Sequence, residues 1–174
     1  MLKALIPFLL LFPCGISMAQ KNSAITLYED TTQFSSLEQI LALPEFRDKV
    51  VFIDMWGTRC GPCIQEFAFA SSLKEYFNNK PVMFLYLKSP YTFDDSKEWK
   101  DMINKYDLKG VHVAMSISFY MDGFWEKYKK HYAEKRMYTI PTYLLADRTG
   151  KIVSFDAPRP SSKSKLYKLI ERKI

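Results

Sequence analysis

Val50-Val51-Phe52-Ile53-Asp54-Met55-Trp56-Gly57-Thr58-Arg59-Cys60-Gly61-Pro62-Cys63 runs from an apolar segment of strand length straight into two cysteines separated by two residues. A strand that hands over to a helix here puts Cys60 at the helix start. Pro62 then falls in the first helical turn, where its missing N–H costs no hydrogen bond. Two cysteines at this spacing can close a small disulfide ring. They could also supply half of a zinc site. The other half is absent, because Cys14 is the one remaining cysteine and neither a second Cys-x-x-Cys nor a His-x-x-x-His pair occurs. No metal is expected, and no cofactor beyond a redox-active Cys60–Cys63 disulfide.

Upstream, residues 1–19 have the form of a cleavable export signal, with Lys3, an apolar run from Leu5 to Phe12, and Ser17-Met18-Ala19 before Gln20. The apolar run is shorter than the about 20 residues of a membrane span, and Pro7, Pro13 and Gly15 interrupt it. A retained anchor and lipidation at Cys14 are the alternatives, although Leu11-Phe12-Pro13 is a poor match to the small residues such lipidation prefers. Removing residues 1–19 leaves 174 − 19 = 155 residues in which Cys60 and Cys63 are the only cysteines. A chain of that length buries an adequate core without disulfide staples, so a lone pair reads as catalytic rather than structural. Loss of Lys3 lowers the formal charge from +6 to +5. The remaining basic residues are scattered along helical segments and the C-terminal tail, a solvated surface rather than a nucleic-acid footprint.

The mature chain has no repeat or composition break and fits one domain, residues 36–174, after an N-terminal extension over residues 20–35. Val50 to Met55 and Val82 to Leu87 read as buried strands. Thr142 to Ala146 and Ile152 to Phe155 flank the hairpin signal Asp147-Arg148-Thr149-Gly150. Helical spacing links Cys63, Phe67, Ala70, Leu73 and Phe77, then Trp99, Met102, Ile103 and Tyr106, then Leu166, Leu169, Ile170 and Ile174. Strand, helix, strand, helix, hairpin, helix is an α/β pattern, a mixed central sheet with helices on both faces. Gly110 to Tyr138 is less regular, with a helix over Phe119 to Tyr132 that Gly123 weakens.

These motifs resemble the thioredoxin superfamily and, more closely, its exported TlpA/ResA-like branch of thiol-disulfide oxidoreductases. The resemblance spans roughly Ser36 to Ile174. It is strongest over Asp54 to Cys63 with Glu66 three residues later, and returns at Thr139-Ile140-Pro141-Thr142. It implies a thioredoxin-like fold and exchange of disulfides with exported client proteins, fed by a membrane or periplasmic electron donor. Gly61-Pro62 between the cysteines resembles the reducing thioredoxins. It further implies that Pro141 is a cis-proline facing the dithiol, that Ile140 offers its backbone to a substrate chain, and that Trp56, Gly61 and Pro62 border the substrate site. Arg59 departs from the pattern, since many relatives carry Trp there.

Within this frame Cys60, stabilised as a thiolate by unpaired N–H groups and the helix dipole, is the expected nucleophile, and Cys63, one turn further in, the resolving thiol. Asp54 interrupts an apolar strand. Buried there without a partner it would hold its proton near neutrality, which suits the general acid/base that its position implies by resemblance; turned outward at the strand end it would only hydrogen-bond. Glu66 fits either a dipole-favoured helical acid or the branch's redox-tuning Glu. His112 and His131 are expected at the surface or in loops rather than on a metal. An exported copper carrier using the two sulfurs, or an oxidase or isomerase on the same fold, are the alternative functions.

Overall fold

Branched and aromatic side chains dominate Val50–Trp56, and all seven residues are buried, as a strand covered on both faces requires. The computed structural model, which describes residues 24–91, 93–133 and 136–174, sets this strand inside a six-stranded sheet. In chain order the strands are β1 (Ile25–Tyr28), β2 (Val50–Trp56), β3 (Val82–Lys88), β4 (Gly110–Ala114), β5 (Thr142–Ala146) and β6 (Ile152–Ser154). Across the sheet they lie β1-β4-β3-β2-β5-β6. The first four run parallel, and β5 and β6 pair antiparallel, giving the expected mixed sheet.

Alternation along β2 divides the core. Val50, Phe52 and Trp56 face α2 (Gly61–Glu66), α3 (Ala70–Tyr76), α4 (Ser96–Lys105) and α5 (Ser164–Glu171), meeting Cys63, Leu73, Trp99, Ile103, Leu166 and Ile170. Val51, Ile53 and Met55 face α1 (Leu37–Leu41) and the segment Phe119–Glu126, meeting Leu37, Ile40, Phe119, Phe124 and Trp125. Each large apolar side chain so buried contributes about 1.5–3 kcal/mol against exposure. The sheet therefore holds the C-terminal end of β2, and the loop that leaves it, between two packed layers.

Several elements depart from the sequence reading. The helical stripe from Cys63 to Phe77 is carried by α2, a 3-10 turn at Phe67–Phe69 and α3 rather than by one helix. Within the 20–35 extension, Ile25–Tyr28 adds an edge strand paired with β4. β4 is itself a five-residue buried strand with His112 at its centre, too short for a periodic signal. Phe119–Glu126 is wound as a π-helix, followed by a 3-10 turn at Lys129–His131. Gly123 serves there as a contact point, because a Cβ would run into the Ser35 carbonyl oxygen. The expected hairpin turn forms: Asp147 Oδ1 accepts from Thr149 N at 2.9 Å and Thr149 Oγ1 at 2.7 Å. Ile174, expected to continue the last apolar stripe, lies beyond α5 and is exposed. The proposed signal over residues 1–19, with Cys14, lies outside the described residues.

Candidate active site

The loop leaving β2 closes as a turn in which Cys60 N–H donates to the Gly57 carbonyl at 3.0 Å. Cys60 is the N-cap of α2, with extended backbone (φ −90°, ψ 95°), and its Sγ accepts from Cys63 N–H at 3.2 Å. A sulfur thus stands where a capping oxygen commonly does, and a thiolate there accepts charge-assisted hydrogen bonding from the helix start. The two sulfurs are joined in a disulfide. Cys60 is 8% exposed and Cys63 1%, so an incoming sulfur meets Cys60 first. Gly61 and Pro62 are exposed, and nothing lies within 4 Å of a Cβ built on Gly61, so this side of the ring is open to a partner chain.

Asp54 takes the place in the β2 alternation between Phe52 and Trp56, on the sheet face that packs against α2 and α3 and meets Cys63. It is 3% exposed, and its Oδ1 has no hydrogen-bond partner. Burial, then the negative charge of Glu66, push its carboxyl from 3.8 up to about 8, while the Lys74 ammonium opposes them. The reading in which Asp54 turns outward is therefore wrong: the strand carries it into the core. Glu66, also buried, ends α2 and is held by Ser161, whose N–H and Oγ donate to Oε2 and Oε1 at 2.9 Å each; Arg159 stands 4.0 Å away.

The Ile140–Pro141 peptide is cis, and both residues are half-buried just before β5. Ile140 reaches the redox loop: a Cβ on Gly57 would stand 3.0 Å from Ile140 Cδ1 and 2.6 Å from the Tyr91 hydroxyl, so only glycine fits between them. Trp56 behaves differently from its expected place at the substrate border. It is fully buried and packs edge-on to Phe67 with ring centroids 5.0 Å apart, so it backs the dithiol from the core and offers no surface to a client. Arg59, which replaces the usual Trp, projects outward with its guanidinium 4.6 Å from the exposed Phe93 ring, itself stacked on Tyr91. The β3–α4 connection thus supplies aromatic surface beside a position that lacks it.

Other residues of the site escape a sequence reading. Strand register aligns Tyr143, Asp54, Tyr86 and His112 across β5, β2, β3 and β4, a row created by pairing between distant segments. Lys74 reaches over this row from α3, its Nζ 5.2 Å from the Tyr86 ring and donating to the Asp107 carbonyl at 3.2 Å. Burial pushes its ammonium down to about 7. Its signal was present, since Lys74 follows Cys63, Phe67 and Ala70 at helical spacing. Ser161 carried none. His112 corrects the surface expectation: it is fully buried, stacks on Tyr86 at 4.6 Å, and burial lowers it to about 4. Its Nε2 lies 2.6 Å from the Leu108 carbonyl, which can only accept, so the proton sits on Nε2. His131 is exposed. Among the described residues no group of three or more His, Cys, Asp and Glu side chains is arranged to hold a metal ion.

Comparison with known proteins agrees with this geometry. The Redoxin family profile matches residues 25–170. The chain is 29% identical over 113 residues to thiol-disulfide oxidoreductase ResA of Bacillus thuringiensis, covering 65% of this chain and 57% of that protein, so it spans less than two thirds of the relative's length. Among solved structures it is similar to a putative thiol-disulfide oxidoreductase from Bacteroides vulgatus, at 30% identity and a TM-score of 0.57 over 76% of this chain and 83% of the other. A putative thiol:disulfide interchange protein DsbE from Chlorobium tepidum, 19% identical, shares the fold with a TM-score of 0.55 over 74% of this chain and 82% of the other. A sheet of thioredoxin type, a Cys-Gly-Pro-Cys disulfide heading α2 and a profile match across nearly all the described residues place this chain in the Redoxin family, on the TlpA/ResA-like branch of the thioredoxin superfamily.

Proposed function

We propose that the protein is a thiol-disulfide oxidoreductase that reduces disulfides of exported client proteins by dithiol exchange through Cys60 and Cys63. The observation that carries this reading is the Cys60–Cys63 disulfide at the head of α2, with Cys60 the more exposed of the two and a protonatable carboxyl buried on the same face of the sheet. In the reduced protein the Cys60 thiolate attacks one sulfur of a client disulfide, forming a mixed disulfide and releasing the other sulfur as thiolate. Cys63 then gives its proton to the Asp54 carboxylate and attacks Cys60 Sγ. The Cys60–Cys63 bond forms, the second client thiolate leaves, and two electrons have passed from dithiol to client. Gly61, Pro62 and the Ile140–Pro141 edge border the client chain. Glu66 acts through Asp54, keeping that carboxyl easier to protonate. An exported location and a membrane or periplasmic donor that returns electrons to the disulfide belong to the same proposal.

Equilibration with glutathione redox buffers tests the direction. A reductant requires a couple well below the glutathione poise, near the about −270 mV of thioredoxin. A value near the about −120 mV of DsbA would make the protein an oxidase and overturn the proposed direction.

A further inference from the structure

A second buried polar cluster braces the redox loop at the end of the sheet where β2 and β3 both finish, Lys88 standing in register with Trp56. Lys88 closes β3 and Asp95 caps the start of α4. One Asp95 carboxylate oxygen pairs with Lys88 Nζ, and the other accepts from Thr58 Oγ1 at 2.7 Å. All three residues are buried, so neither charge keeps its hydration shell. The backbone around Lys88 is fixed as well, with Ser89 N–H on the Trp56 carbonyl at 2.8 Å and Met115 N–H on the Lys88 carbonyl at 3.1 Å.

A buried ion pair is a poor device for stability, since desolvation offsets most of its attraction and well-packed apolar residues often serve as well. Its position suggests another use. Thr58 is two residues before Cys60, inside the turn that Cys60 N–H closes on Gly57. The pair therefore grips the segment that aims the nucleophile, and it sets two opposite charges, balanced against each other, in a low-dielectric region close to a thiolate.

Resting on the oxidoreductase reading above, we propose that Lys88 and Asp95, acting through Thr58, are positioning residues of the dithiol: they hold the Cys60 loop and keep the local field at its sulfur balanced. Asp95→Asn takes from the Lys88 ammonium its paired carboxylate and leaves only the more distant Asp94 charge against it, which favours the Cys60 thiolate and hence the reduced form. The glutathione equilibrium should shift toward the dithiol by about tenfold, an effect of the size one unbalanced charge produces across roughly 10 Å at an effective dielectric near 20; tenfold corresponds to about 30 mV. The pH profile of Cys60 alkylation should move to lower pH. The paired variant Lys88→Met with Asp95→Leu removes both charges and should bring potential and profile back toward wild type. Asp94 and Lys100 beside the pair, Asp54 and Glu66 from the core side, and Arg59 with Glu98 at the surface are unchanged throughout, so they do not account for a difference.

Thr58→Val keeps both charges but releases the grip. It should slow mixed-disulfide formation several-fold with the alkylation profile in place, and Thr58→Ser should restore the rate. An Asp95→Asn couple that matches wild type, or a double variant that shifts as far as Asp95→Asn alone, overturns the field argument. An unchanged Thr58→Val rate overturns the positioning one, and does so even if Asp95→Asn fails to fold. A wild-type couple that does not exchange with glutathione at all would instead sink the oxidoreductase reading, a result distinct from either.

Discussion

Asp54→Asn separates the roles of this carboxyl in folding and in exchange. Burial raises its folded-state pKa from 3.8 to about 8. Between these values the unfolded chain releases a proton that the folded one keeps, so folding stability falls as pH rises through the window and levels off above about 8. Four units correspond to roughly 5–6 kcal/mol, of which about 4 kcal/mol is already present at pH 7. Asn cannot ionise, but its amide inherits a site where Oδ1 has no partner, at a cost of about 1–3 kcal/mol. The two stability curves should therefore cross: the oxidised variant is less stable than wild type near pH 4 and more stable near pH 8. Denaturant melts of both oxidised proteins across that range measure this directly. In stopped-flow exchange the same substitution should slow the resolving step by about 10- to 1,000-fold while mixed-disulfide formation stays nearly unchanged. Parallel stability curves would refute the buried, protonated carboxyl. Crossing curves with wild-type resolving rates would keep Asp54 in the core and remove it from the chemistry.

Lys74→Met removes the cation that opposes protonation of Asp54, so the Asp54 carboxyl should titrate higher and resolution at neutral pH should slow; Lys74→Arg, which keeps its charge where burial brings Lys74 to about 7, should move the carboxyl lower, and carbon NMR of that carboxyl checks both. Cys63→Ser should accumulate mixed disulfides through Cys60, whereas Cys60→Ser should trap none, as non-reducing gels with mass spectrometry would read out; equal trapping would reverse or dissolve the assignment. His112 titrates at about 4 when folded against an ordinary 6.5, so the folded state binds fewer protons in that window and stability falls as pH drops through it. His112→Phe should abolish this acid-side slope, worth about 3 kcal/mol, in the same melts.

The strand–dithiol–helix junction, the mixed sheet and the late hairpin were legible because each rests on local chemistry: apolar runs of strand length, helical spacing, and an Asp-led turn. Of the candidate site, Cys60 and Cys63 stand out by their spacing after an apolar strand and Asp54 by interrupting that strand, whereas Pro141 and the redox role of Glu66 rest on resemblance to the superfamily. The supporting layer was not legible. Glu66 is held by Ser161, ninety-five positions away, and Thr58 meets Asp95 thirty-seven positions on, contacts that no period or spacing encodes. β4 carries no sequence signal, because five buried residues around a histidine show neither alternation nor a long apolar run. Trp56 is the opposite case: it adjoins the cysteine motif in sequence, but strand alternation turns its ring inward, against Phe67.

The central claim, that Cys60 and Cys63 pass two electrons to a disulfide in another protein, is tested most directly by a single turnover. Fully reduced wild-type protein is mixed with an excess of a disulfide-bonded substrate protein such as insulin, quenched with acid, alkylated and weighed by mass spectrometry. One substrate disulfide should open for each Cys60–Cys63 disulfide formed, with a transient adduct through Cys60. Retention of both free thiols beside intact substrate disulfides would contradict it.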